Sequence, residues 1–135
     1  MTILNAKRAA KAALISCAFL TLLPQAKAAI TDYEFQLVQS EVKKSDATVV
    51  AVRLVDKRTG KPVPDAVIFA KRVDMAPDGM AEMKEPIEQL LSTEPGVYSF
   101  KAAVVMAGGW RLSLGAKVQG ETETLKTELV FKAVP

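Results

Sequence analysis

Methionine is the residue type whose spacing most suggests chemistry in this sequence. Met75, Met80 and Met83 lie within nine residues of one another, and Met106 follows further along the chain. Thioether sulfurs are soft, uncharged ligands that suit Cu(I) and, by the same reasoning, Ag(I). They also escape the disulfide chemistry that consumes thiols in an oxidising compartment. These four methionines form a candidate site for a transiently held soft ion, and Trp110 is a candidate for a cation–π or partner contact beside it.

A packing role is the alternative for the same four side chains. Methionine is flexible and fills irregular gaps in protein cores, including gaps beneath loops. In that interpretation the methionines close the end of a folded domain and bind no metal.

Four carboxylates surround the three clustered methionines: Asp74, Asp78, Glu82 and Glu85. Carboxylate oxygens suit Ca²⁺, but a calcium-binding loop of the common kind places acidic residues at alternate positions before a glycine. That register is missing here, so the pattern favours a solvated acidic loop over a calcium site.

The residue inventory argues against catalysis. Residues 29–135 contain no cysteine and no histidine, which excludes disulfides, zinc sites of the Cys/His type and the usual nucleophilic triads in that region. No glycine-rich phosphate cradle follows a strand and opens a helix. A pair of carboxylates for glycoside hydrolysis is compatible with the composition, but a small domain without long loops has little room for a substrate cleft. We do not expect an enzyme.

The elements that must position these residues follow a period of two, which is typical of half-buried strands. The pattern is clearest near the C-terminus. A tight reversal is predicted at Gly108–Gly109, and after it Trp110, Leu112 and Leu114 alternate with polar residues until a later turn. Seven short strands are predicted, near residues 33–39, 48–56, 65–73, 86–92, 97–106, 110–118 and 122–133.

The strand spacing predicts an all-β fold, a seven-stranded immunoglobulin-like β-sandwich without the Cys-Trp-Cys core of antibody domains. It forms a single domain spanning residues 29–135. The segment from Asp74 to Pro86 does not alternate, and Pro77, Gly79 and Pro86 predict a loop there, which carries three of the methionines.

Residues 1–28 are predicted to be a cleavable signal peptide. Lys7, Arg8 and Lys11 precede an apolar run from Ala12 to Leu23, and Ala26-Lys27-Ala28 offers a small-x-small cleavage signal. The run is shorter than the roughly 20 apolar residues that a membrane-spanning helix needs. We expect cleavage after Ala28 and a periplasmic mature protein that does not span a membrane.

Cys17 offers a second interpretation of the same segment, because Leu14-Ile15-Ser16-Cys17 is similar to a lipoprotein cleavage box. Lys11 interrupts the apolar stretch before Cys17, and the stretch continues beyond it through Phe19 and Leu22. The soluble form is therefore favoured over the lipidated one.

The net charge of +3 depends on the predicted leader. Residues 1–28 hold four of the 18 basic residues and none of the 15 acidic ones, which leaves 14 basic against 15 acidic residues, a net charge of −1. A domain with this charge has no electrostatic basis for binding nucleic acid or an anionic membrane surface.

Several short motifs occur in a distinctive order between Gly60 and Val130. They are Gly60-Lys61-Pro62-Val63 opening a strand, the methionine-bearing segment, Pro95-Gly96-Val97-Tyr98, and Gly108-Gly109-Trp110. In this order the motifs resemble the FixH/YtkA-like family of exported or membrane-anchored β-sandwich domains. The resemblance departs from the FixH side of the family, since no cysteine or histidine ligand and no permanent N-terminal anchor is expected here.

The resemblance implies a periplasmic accessory protein of a copper/silver-type heavy-metal efflux or homeostasis system. Its partner would be a metal-efflux transporter or the periplasmic adaptor of one. No cofactor is required, although Cu(I) or Ag(I) would be bound transiently. The alternative is a metal-free β-sandwich interaction module that docks on an envelope or membrane complex. The sequence gives no oligomeric state.

Overall fold

A computed structural model describes residues 29–135 of the chain. The predicted signal peptide and the lipidation alternative at Cys17 lie outside the described residues. Within residues 29–135, no helix is long and apolar enough to cross a membrane.

Ten strands and two short 3₁₀ turns make up the described chain. The turns are Ile30–Asp32 and Ala76–Asp78. The strands are β1 (Tyr33–Leu37), β2 (Glu41–Lys43), β3 (Ser45–Asp56), β4 (Lys61–Pro62), β5 (Val67–Met75), β6 (Met80–Glu85), β7 (Ile87–Leu90), β8 (Val97–Val104), β9 (Gly108–Lys117) and β10 (Thr124–Val134).

The strands form two sheets that pack face to face. One sheet has the order β1-β3-β8-β7, with β4 pairing to β3, and the other has the order β2-β10-β9-β5-β6. All pairs are antiparallel except β2 with β10. The first order matches the A-B-E-D sheet of an immunoglobulin domain, and β5, β9 and β10 match its C, F and G strands. The predicted all-β sandwich class is confirmed.

The core lies between the sheets, where the inward side chains of the alternating strands meet. Trp110, Phe100 and Phe131 are its largest fully buried side chains. The alternation predicted after Gly109 is confirmed: Trp110, Leu112, Leu114, Ala116 and Val118 are all buried. Each large apolar side chain buried in this way stabilises the folded protein by about 1.5–3 kcal/mol of free energy relative to leaving it exposed.

The strand count differs from the prediction, since there are ten strands rather than seven. β2 and β4 have three and two residues, too few for an alternating pattern to show. The third extra strand, β6, lies in the segment from Asp74 to Pro86 that was predicted to be a loop. That prediction was wrong because Pro77 and Gly79 mark only the turn of a β-hairpin, whose second strand begins at Met80.

The reversal between β8 and β9 also differs from the prediction. Gly108 and Gly109 are the first two residues of β9 rather than the turn, and the chain reverses over residues 105–107. Met106 therefore lies in the connection between the strands instead of at the end of β8.

Candidate functional site

The hairpin of β5 and β6 carries the three clustered methionines. Met75 ends β5 and is the register partner of Met80, the first residue of β6. Met75 is only 1% exposed and belongs to the core, whereas Met80 and Met83 are half-buried and pack against it. The hairpin thus brings Met75 and Met80 together across one turn, with Met83 further along β6.

The turn of this hairpin rests on the beginning of β9. The Gly109 amide donates a hydrogen bond to Asp78 Oδ2 at 3.1 Å. Gly108 has φ +138°, and a Cβ built there would overlap Asp78 Oδ2 and lie 3.1 Å from the terminal methyl carbon of Met75. A side chain at residue 108 would therefore separate the hairpin turn from β9, so glycine is required for this contact.

Met106 reaches the same end of the sandwich from the connection before β9. It lies two residues before Gly108, so the Cα atoms of the two residues are at most about 7.6 Å apart. Its side chain is 41% exposed, the most accessible of the four methionines. Met106 thus lies at the same end of the sandwich as Met75, whose terminal methyl carbon approaches the Gly108 backbone.

Trp110 fixes the backbone at Met106 from inside the core. Its indole nitrogen donates a hydrogen bond to the Met106 carbonyl oxygen at 2.9 Å. The ring has no exposed surface. The predicted partner contact at Trp110 is therefore corrected: a fully buried indole has no face to offer a partner, and its observed role is to pack the core and hold Met106.

Two of the four carboxylates around the methionines, Asp74 and Asp78, have partners within the protein. Asp74 is completely buried and accepts hydrogen bonds from Arg72 Nε at 2.8 Å, Arg111 Nη2 at 3.0 Å and the Ala76 amide at 2.9 Å. Asp78 accepts a hydrogen bond from the Gly109 amide. In residues 29–135 no group of three or more histidine, cysteine or acidic side chains is arranged to hold a metal ion.

The electrostatics of Asp74 follow from this set of partners. Burial acts to raise the pKa of the Asp74 carboxyl, but hydrogen bonds from Arg111, Arg72 and the Ala76 amide oppose it, and the pKa is held below its ordinary value. Arg111 extends the network to Glu128, whose Oε1 lies 3.8 Å from Arg111 Nη1. Asp74 is thus an ionised anchor beneath the hairpin rather than a solvated loop carboxylate.

Comparison with known proteins places the chain in a family. The model of the YtkA-like family matches residues 27–115, which is more than half of the chain. The chain belongs to the YtkA-like family. This confirms the resemblance inferred from the motifs between Gly60 and Val130. No protein of curated function matches the chain at a significant level.

Two solved structures are similar to this YtkA-like domain at low sequence identity. A DUF4426 family protein from Pseudomonas aeruginosa PAO1 is similar with a TM-score of 0.52 and 17% identity, covering 76% of this chain and 89% of that protein. The ZirS C-terminal domain has a TM-score of 0.47 and 13% identity, covering 78% of this chain and 67% of that domain. The first likeness supports the shared fold and nothing further.

The Asp74 network of the YtkA-like domain was missed in the sequence. Asp74 was assigned to a loop because of the nearby Pro77, although Arg72 and Asp74 are two residues apart and so lie on one face of a strand. Arg111, an outward position in the alternation of β9, is the register partner of Asp74. A search for charged residues two apart at the end of an apolar run would have found this ion pair.

Proposed function

We propose that this YtkA-like domain is a periplasmic accessory protein of a copper/silver-type efflux or homeostasis system. It binds a soft monovalent ion at one end of the sandwich and hands it to a transporter or to the periplasmic adaptor of one. The observation that supports the proposal is that Met75 lies against Gly108 of β9, that Met80 is the register partner of Met75, and that Met106 precedes Gly108 by two residues. Membership of the YtkA-like family supports the biological setting.

The graded exposure of the methionines suits an ion that must be taken up and released. Met106 is open to solvent, Met80 is half-buried, and Met75 lies beneath them in the core. Thioethers carry no charge, so Cu(I) or Ag(I) would keep its positive charge in the site and would be bound without displacing a proton. Met83 would serve as a further ligand from β6.

Native mass spectrometry of the protein lacking residues 1–28 tests the proposal. We expect one equivalent of Ag(I), or of Cu(I) under anaerobic conditions, and no retention of Zn²⁺ or Ca²⁺ at the same concentration. A Met80→Leu/Met106→Leu double variant should lose the ion. Val38→Met, which adds an exposed thioether directly after β1 of the other sheet, is a control that should not gain a second equivalent. Equal retention of Ag(I) and Zn²⁺, or no retention of Ag(I), contradicts the proposal.

A metal-free interaction module is the second candidate function. It is favoured by the packing of Met80 and Met83 against the core, since burial alone gives these side chains a role. In that case the Met80→Leu/Met106→Leu variant and the Val38→Met variant would bind ligands as the unmodified protein does. The same mass-spectrometric titration therefore separates the two functions.

A further inference from the structure

The outer face of the second sheet carries a groove unrelated to the methionines. It runs across β5, β9 and β10 and has a volume of about 630 Å³. Its lining includes Phe69, Arg72, Gly115, Lys126 and Glu128. Gly115 lies seven residues from Gly108 along β9, a separation of about 23 Å at the rise of a β-strand. The Gly115 part of the groove is thus well removed from the candidate metal site.

A β-bulge directs an aromatic ring over this groove. The pairing of β5 with β9 shifts between Ile68 and Ala70, so Phe69 is displaced from the regular register. Its ring lies over Gly115, where a Cβ would be 3.1 Å from Phe69 Cζ. The ring is nevertheless 54% exposed. Phe69 is the one aromatic side chain among the large hydrophobic residues exposed in residues 29–135.

Gly115 has no conformational reason to be glycine. It lies inside the central strand β9, and its φ is not positive. Glycine in a strand interior weakens the strand and often marks a place where another group approaches closely. Here that group is the Phe69 ring. Glycine at residue 115 therefore lowers the stability of the strand but leaves room for the Phe69 ring to contact the sheet while it stays open to solvent.

One positive charge beside the ring is unmatched. Lys126 lines the groove on the same face as its register partner Gly115, and it forms no ion pair within the described part of the chain. Lys71 also lines the groove, but it is the register partner of the buried Leu114, so its side chain lies on the other face of the sheet. Arg72 is engaged by Asp74, and Glu128 lies near Arg111. One free ammonium group, that of Lys126, therefore lies on the face that carries the ring.

We propose that this groove binds an extended acidic segment of a partner protein, with one apolar side chain of the segment packed on Phe69. A carboxylate of the segment would pair with Lys126, since complementary charge orients a partner and speeds its association. Val67 and Val130, both exposed, continue the apolar surface at the two ends of the groove. This inference is independent of the proposed metal function, because no methionine contributes to the groove.

A defined peptide tests the inference without knowledge of the natural partner. The probe is an acetylated, amidated peptide of glutamates around a central phenylalanine, titrated into ¹⁵N-labelled protein to millimolar concentration. We expect saturable shifts of the amides of Phe69, Gly115 and Lys126. Phe69→Ala and Lys126→Glu should each weaken binding about tenfold. The matching peptide with lysines in place of glutamates should not bind.

Two matched controls separate the groove from general effects. Val49→Ala shortens an exposed apolar side chain of similar accessibility on the other sheet, and Lys132→Glu reverses a charge on β10 outside the groove. Both should bind the acidic peptide as the unmodified protein does. The inference is overturned if no saturable shifts occur, if the lysine peptide binds equally well, or if the controls weaken binding as much as the groove variants. Because Phe69 and Lys126 are exposed, the unfolding midpoints of their variants should stay near that of the unmodified protein.

Discussion

The single tryptophan joins the core of the domain to its candidate metal site. Trp110 is fully buried and donates its indole hydrogen bond to the carbonyl of Met106. The connection between β8 and β9 therefore has a fixed backbone at Met106, although the Met106 side chain is exposed. A residue of the core thus determines where an accessible thioether lies.

Truncation of this indole tests its role in the core. Trp110→Ala should lower the free energy of unfolding by about 3–5 kcal/mol, because it removes a large buried side chain and leaves a cavity. Trp110→Phe keeps much of the apolar volume and should cost less. Urea denaturation followed by circular dichroism measures both. An unchanged midpoint for the alanine variant would show that the indole is not part of the core.

The buried carboxylate of Asp74 makes the stability of the domain depend on pH. Its pKa is lowered in the folded protein, so its ionised form stabilises the fold above the unfolded pKa, near the ordinary value of 3.8. That contribution is lost as the pH falls through the lower folded pKa. Acid should therefore weaken the attachment of β5 to β9 and to the hairpin turn, where the partners of Asp74 lie.

Asp74→Asn tests this dependence. At neutral pH it should cost about 3 kcal/mol, because it leaves Arg111 without its buried anion. The Asn variant should also lose less stability than the unmodified protein on acidification below about pH 4. Urea midpoints across the acid range measure both effects. Asp46→Asn, at an exposed residue with no ion pair in the described region, is the control, and equal behaviour of the two variants would refute the role of Asp74.

At the scale of elements, the contact between the β5–β6 turn and the start of β9 determines the geometry of the site. The contact depends on Gly108, whose missing side chain leaves room for Asp78 and for the methyl group of Met75. Its backbone, with φ +138°, is also one that residues with a side chain rarely adopt.

Gly108→Ala should therefore separate the turn from β9. We expect a loss of about 1–3 kcal/mol in the free energy of unfolding and a shift of the Met75 methyl resonance. Gly60→Ala is the matched control, since Gly60 also has a positive φ but a Cβ there would meet no atom within 4 Å. It should be less destabilising and should leave the Met75 resonance in place. A Met75 signal that is the same in both variants would argue against the contact.

Elements with a full alternating pattern were predictable from the sequence, and the remainder were not. β9 and β10 were located because their inward residues, such as Leu112 and Phe131, recur every second position. β2 and β4 are too short for any periodicity, and the pairing of β2 depends on the distant strand β10. β6 was missed because its half-buried residues, including Met80 and Met83, face the core without strict alternation.

At the scale of the whole molecule, sequence predicted the candidate residues better than their surroundings. The four methionines were recognisable from residue type, but their burial depends on which turn packs on which strand. The groove at Phe69 was not foreseen, although Gly115 inside an otherwise regular strand marked a close approach. Its other determinants, the bulge in β5 and the lack of an ion pair at Lys126, depend on packing between strands distant in sequence.

The proposed export of the chain to the periplasm is a property of the whole molecule. If the chain is exported as proposed, mass spectrometry of the periplasmic fraction should find a mature N-terminus at Ala29, directly after the Ala26-Lys27-Ala28 signal. Ala28→Arg should block cleavage and retain the leader. Recovery of a membrane-bound form that begins at a lipidated Cys17 would contradict the periplasmic assignment.

The proposed function requires that the methionines at the Gly108 end bind a soft ion. The most direct measurement is an Ag(I) titration of protein labelled at its methionine methyl groups, followed by NMR. We expect saturable shifts for Met75, Met80 and Met106, larger than any shift of Met83. A Met75→Leu/Met80→Leu/Met83→Leu variant keeps apolar volume nearly constant, so it should fold normally and lose the ion. Methyl signals that do not respond to micromolar Ag(I), or equal binding by the folded triple variant, would contradict the claim.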